Sequence, residues 1–120
     1  MSINTYKELR IWDTAYRLAL EIYAVTAHFP SHEKFGLISQ MRRAAVSVPS
    51  NIAEGFSRLP KEQVRFLTIA KGSIFELTCQ CMMAADLSYC ERNTMAYVID
   101  RYDGLAAGIH RSIEKILMRT

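Results

Sequence analysis

Residues 29–58, FPSHEKFGLISQMRRAAVSVPSNIAEGFSR, constrain the fold more than any other stretch of the chain. They read as one long helix carrying two stripes side by side. Leu37, Met41, Ala44, Val48 and Ile52 follow helical spacing and form an apolar stripe. Gln40, Arg43, Ser47, Asn51, Glu54 and Arg58 recur at three- and four-residue steps and form a polar one. At about 100° per residue, the polar set falls within roughly a quarter of the helix circumference. A merely solvated face carries interchangeable Lys, Glu and Gln, whereas this one uses short groups of defined geometry. A polar seam beside a core seam is expected to make a hydrogen-bonded contact with another helix or subunit.

Three further segments repeat the helical pattern. Only three prolines and five glycines occur in 120 residues, and β-branched runs are absent, which suits long helices. The first helix is expected from about Thr5 to His28, ending at Phe29-Pro30. It has two apolar sides: Leu9, Trp12, Tyr16, Ala19, Tyr23 and Thr26 on one, and Ile11, Leu18, Ile22, Val25 and Phe29 on the other. A bundle can bury one side, so the other calls for a partner. The outward set Ile11, Leu18, Ile22 and Val25 is therefore the candidate subunit interface.

The second helix is expected to start near Ser31 or His32, to tolerate Pro49 as a kink, and to stop at Gly55. Pro60 fits the first position of the third helix, which runs to about Tyr89 with Phe66, Ala70, Ile74, Leu77, Cys81, Ala84 and Leu87 facing the core. Gly72 lies mid-helix, where close helix approach would compensate it. Asn93 caps the last helix, which turns Tyr102, Leu105, Ala106, Ile109, Ile113 and Ile116 inward. The expected architecture is all-α: an antiparallel up-down-up-down four-helix bundle, with residues 1–120 as a single domain.

The sequence carries few chemically reactive groupings. His28 and His32 are four apart, but Pro30 breaks the helix that would align them on a metal. No Glu-x-x-His pair, nucleophile elbow or glycine-rich phosphate loop occurs. Cys79 and Cys81 point to nearly opposite sides of a helix and read as reduced packing residues. Neither metal nor cofactor is expected. Trp12, Tyr16, Tyr23, Phe66 and Tyr102 sit at core spacing rather than as base-stacking platforms.

The net charge of +3 allows an anionic partner without demanding one. The second helix is the mildly basic one, with Lys34, Arg42, Arg43 and Arg58 against Glu33 and Glu54. Arg42, Arg43 and Arg58 are thus the candidate nucleic-acid contacts. Arg42 and Arg43 point about 100° apart. Arg43 is read as at least partly buried and held by Glu54 or Glu76, and Arg42 as solvated. With no signal-peptide core and no span of roughly 20 apolar residues, the chain is expected to be cytoplasmic and off the membrane.

Phe29-Pro30, Glu33, Phe35-Gly36-Leu37, Gln40, Arg42-Arg43-Ala44, Ser47, Pro49 and Asn51 to Gly55 form a long motif. It continues in Phe66-Leu67, Ile69-Ala70, Gly72-Ser73 and Glu76-Leu77. The whole closely resembles a family of small four-helix bundles that includes proteins encoded in intervening sequences of bacterial 23S ribosomal RNA genes. The chain departs from the family pattern after Leu77, where cysteines flank Gln80. The resemblance implies a ring-like homopentamer without established enzymatic activity. The chain is also similar to the accessory protein of diversity-generating retroelements, a pentameric bundle that binds nucleic acid and a reverse transcriptase. The expectation is a non-enzymatic homo-oligomer associated with RNA or DNA or serving as a scaffold. The rival is a protein–protein adaptor with no nucleic-acid affinity.

Overall fold

A computed structural model describes residues 3–119. Four helices account for most of them, and no strand occurs among the described residues: α1 (Arg10–Thr26), α2 (Leu37–Phe56), α3 (Pro60–Asp86) and α4 (Arg92–Arg119). Each boundary has a local cause. Leu9 is extended and separates α1 from a 3-10 turn at Tyr6–Glu8, so the helix begins later than Thr5. A second 3-10 turn, Ser31–Glu33, precedes α2. The first α2 amide, Leu37 N–H, donates to Glu33 Oε1 at 2.9 Å, so the helix starts at Leu37 rather than at Ser31 or His32. Pro49 lies inside α2 without ending it, and Pro60 opens α3. Asn93 is not the cap of α4. Met95 N–H already reaches Glu91 O at 3.2 Å, which places Asn93 inside the helix.

Helices consecutive in sequence pack together, and α1 closes the square against α4. Contacts across α2 and α3 fix their sense. Arg43 faces Glu76, Ser47 faces Ser73, and Gly55 lies against Phe66, so one number falls as the other rises. Lys71–His110 on α3 and α4, and Ile11–Gly108 on α1 and α4, continue the alternation. The result is an antiparallel four-helix rod of 46 × 22 × 21 Å.

The core runs along the axis. Met41, Ala44, Val48 and Ile52 of α2 are buried, as are Ala70, Ile74, Leu77 and Cys81 of α3. From α4 it takes Tyr102, Leu105, Ile109 and Ile113. On α3 the buried face is rotated slightly from expectation: Leu67 and Ala85 are inside, Phe66 is half-buried and Leu87 is exposed. The close approach expected at Gly72 occurs instead at Gly55. A Cβ on Gly55 would lie 2.9 Å from Phe66 Cβ, whereas one on Gly72 would meet nothing within 4 Å.

Helix α1 departs most from the sequence reading. Its buried residues are Ala15, Leu18, Ala19, Ile22 and Thr26. Leu18 and Ile22 therefore belong to the core and form no outward face, while Ile11 and Val25 are half-buried against it. The inward direction runs between the two apolar sets, where Ala15 and Ala19 let neighbouring helices come close. Tyr16, Leu20 and Tyr23 are left on the surface.

Candidate functional site

Two surfaces flank α2, one toward α3 and one toward α1. The α3 side carries the polar seam. Asn51 Nδ2 donates to Ser47 O at 2.8 Å and to Ser47 Oγ at 2.9 Å. Ser47 Oγ in turn lies 2.9 Å from Ser73 Oγ, which ties α2 to α3. Arg43 Nη2 donates to Gln40 Oε1 and lies 3.6 Å from Glu76 Oε2. Gln80 Nε2 donates to the same Glu76 oxygen at 3.2 Å. Glu54 pairs with Arg58 at 3.0 Å, not with Arg43. The residues do converge, but Arg43 is not buried: its side chain is 65% exposed. An ion pair in that setting contributes at most about 1 kcal/mol.

Arg42 takes the anchored role assigned to its neighbour. Its Nε donates to Thr26 Oγ1 at 2.9 Å and its Nη2 to Tyr23 O at 3.2 Å. Its guanidinium also sits 4.6 Å from the centre of the Tyr23 ring. Thr26 is fully buried, and its hydroxyl donates a hydrogen bond to Ile22 O at 2.7 Å. A cation thus closes the carboxyl end of α1, where the helix dipole favours it. Arg42 is a structural clasp and Arg43 a solvent-facing group, the reverse of the sequence reading.

The α1 side of α2 is a shallow apolar groove of about 320 Å³. Trp12 stacks on Tyr16 at 5.0 Å between ring centres, and Tyr6 meets Trp12 edge-on at 5.2 Å. Val46, Pro49 and Ala53 form the opposite wall. Tyr16 is 46% and Leu20 56% exposed, which is unusual for adjacent large apolar groups on a solvated helix. The spacing of Trp12, Tyr16 and Tyr23 pointed them toward the core, whereas Tyr16 and Tyr23 lie exposed on the surface.

Charge is divided along the rod. The half holding residues 3–17, 48–72 and 106–119 carries ten Lys and Arg against five Asp and Glu. The other half, residues 18–47 and 73–105, carries five against seven. Arg58 lies in the basic half, and Arg42 and Arg43 in the other. Lys61, Lys115 and Arg119, all exposed in the basic half, form no ion pair among the described residues. Their cluster required the fold, because it joins the start of α3 to the end of α4.

No group of three or more potential metal ligands occurs among the described residues. Cys79, Cys81 and Cys90 are unpaired, and burial pushes the Cys81 thiol up to about 12, away from reactivity. No described helix is long and apolar enough to cross a membrane.

A family model described as "23S rRNA-intervening sequence protein" matches residues 7–111. Among solved structures, the chain is similar to a protein of unknown function from the S23 ribosomal protein family of Bacteroides thetaiotaomicron. The TM-score is 0.77 at 17% identity, covering 86% of this chain and 97% of the other. At that identity the likeness concerns the fold alone. No curated protein matches significantly.

Proposed function

The chain belongs to the 23S rRNA-intervening sequence protein family, and from that premise we propose a non-enzymatic, cytoplasmic homo-oligomer that associates with nucleic acid or scaffolds a nucleic-acid complex. The observation that carries this reading is the division of charge, with ten cationic residues against five anionic ones in one half of the rod. A polyanion is drawn to such an end, and Lys61, Lys115 and Arg119, which form no ion pair among the described residues, support contact with phosphate there. Arg58 is the member of the expected contact set that lies there. Arg42 is committed to Thr26 and Tyr23.

The apolar α1–α2 groove supports self-association, since exposed aromatic and aliphatic groups of this extent gain from cover. The resemblance implies five subunits. Unpaired cysteines suit a reducing compartment.

The test is binding of a structured RNA, followed by fluorescence anisotropy at low and at physiological salt. Phosphate contact makes the affinity fall steeply with salt. Absence of binding at both salt concentrations would leave the protein–protein adaptor as the better reading. Light scattering of the unmodified chain tests the oligomer separately, and a monomer at micromolar concentration would overturn it.

A further inference from the structure

At the end of the rod where α1 and α3 begin and α2 and α4 finish, all four helices line a cavity of about 350 Å³. Ligand pockets run from about 300 to 1,000 Å³ and form between the helices of bundles. The floor of this one reaches the core at Ile52, 1% exposed, and Leu67, 6% exposed. Leu9, Ile11, Phe56 and Ile116 supply apolar walls. Gln63 and Ser112 also line it, but their donors are spent on the backbone. Gln63 Nε2 donates to Phe56 O at 3.3 Å, and Ser112 Oγ donates to Gly108 O at 3.2 Å. The interior is therefore aliphatic in character.

Lys115 and Arg119 complete the lining. With Ser112 and Ile116 they recur at helical spacing, so the four share one face of α4. Both cations are exposed and form no ion pair among the described residues. No Asp or Glu is among the described residues that line the cavity. An aliphatic interior thus adjoins two neighbouring cations that have no anionic partner. We infer that this cavity binds a single-chain amphipathic anion, a medium-chain fatty carboxylate. Its alkyl chain covers Ile52 and Leu67, and its carboxylate accepts hydrogen bonds from Lys115 and Arg119, which are close enough on the helix to share one head group.

Other occupants fit less well. An extruded nucleobase has a polar edge that needs partners, and the donors of Gln63 and Ser112 are already committed. A membrane lipid brings two long chains, too bulky for a cavity of about 350 Å³. The α1–α2 groove is apolar too, but its nearby cation, Arg42, is held by Thr26 and Tyr23. The inference goes beyond the nucleic-acid reading while sharing Lys115 and Arg119 with it. A bound carboxylate neutralises two cations that would otherwise meet phosphate. Binding measured without nucleic acid leaves either reading free to fail alone.

Isothermal titration of the full chain with decanoate, below its micelle-forming concentration, tests the site. Decanoate should bind saturably, one per chain. Shorter carboxylates should bind about fourfold more weakly for each methylene removed. Lys115→Gln combined with Arg119→Gln changes two exposed positions, and circular dichroism checks that the fold is kept. This pair should weaken decanoate about tenfold or more and leave decanol, the uncharged analogue, unchanged. Ser112→Leu fills the cavity and should abolish binding of both ligands. If Ser112→Leu fails to fold, the glutamine pair and the chain-length series decide. Absence of saturable decanoate binding would overturn the inference. Decanoate binding untouched by the glutamine pair would do the same, since the ligand would then sit elsewhere. Equal losses for decanoate and decanol would remove the carboxylate contact and the inference with it. Binding of phosphatidylglycerol vesicles without binding of decanoate would assign the cations to a membrane surface instead.

Discussion

Tyr89 donates a 2.7 Å hydrogen bond to Glu33 Oε2, joining two connections that are 56 residues apart. The other carboxylate oxygen of Glu33 holds the first amide of α2, at Leu37. The Tyr89 ring packs against Phe29 at 5.6 Å, and its hydroxyl lies 3.3 Å from His32 Nε2. The chain reaches Tyr89 by turning at Ser88, whose φ of 63° is left-handed and uncommon outside glycine. One carboxylate thereby starts a helix and clamps the α1–α2 connection to the α3–α4 connection.

This clamp predicts an acid-sensitive contribution to stability. The Leu37 amide first, and the Tyr89 hydroxyl second, hold the Glu33 carboxyl below its ordinary 4.5. A depressed folded value means that the contribution is present in full above 4.5 and lost as the pH falls through the folded value. Urea melts of the unmodified chain and of Glu33→Gln should differ at neutral pH and converge on acidification below 4.5. A constant difference would exclude the linkage.

Arg42→Ala and Arg43→Ala should behave differently. Loss of Arg42 removes charged hydrogen bonds to Thr26 and Tyr23 and a ring contact, and is expected to cost about 1–3 kcal/mol. Loss of solvent-facing Arg43 should cost no more than about 1 kcal/mol. Denaturant midpoints at equal protein concentration provide the comparison.

Two glycine-to-alanine changes should have opposite signs. Gly55→Ala forces a methyl against Phe66 Cβ and is expected to destabilise by about 1–3 kcal/mol. Gly104→Ala enters open space on α4 and should stabilise by up to about 1 kcal/mol. Calorimetric melting of the two variants measures both.

The basic half of the rod should dominate RNA binding. Alanine at Lys61, Lys115 or Arg119 should weaken binding and lower the salt slope by about 1 for each phosphate no longer neutralised. Arg101→Ala, in the acidic half, should leave the slope unchanged. Anisotropy titrations over a salt series measure both quantities.

The sequence was most legible where one helix face answered to one environment. Met41, Ala44, Val48 and Ile52 on α2, and Ile74, Leu77 and Cys81 on α3, lie inside as their spacing requires. On α1, two apolar sets adjoined, and the burial direction fell between them on Ala15 and Ala19, whose small size gave little signal. The roles of Arg42 and Arg43 depended on acceptors on another helix, Thr26 and Tyr23, which no spacing within α2 could reveal. The seam residues were identifiable as a set because Ser47, Asn51 and Glu54 recur along one helix, but their cross-helix partner Ser73 emerged only from the fold. The Lys61, Lys115 and Arg119 grouping was equally hidden, being spread across two helices.

The division of charge along the rod also bears on valency. If the proposed homo-oligomer sets its copies side by side with the same end upward, their basic ends gather into one rim and their acidic ends into the other. A single chain then contributes one weak foothold on a polyanion, and a ring contributes several held at fixed spacing. Release requires all footholds to let go together, so avidity grows without any new contact. Such a body has a loading side and a repelling side, and a nucleic acid bound to one rim leaves the opposite rim clear for a partner of positive charge.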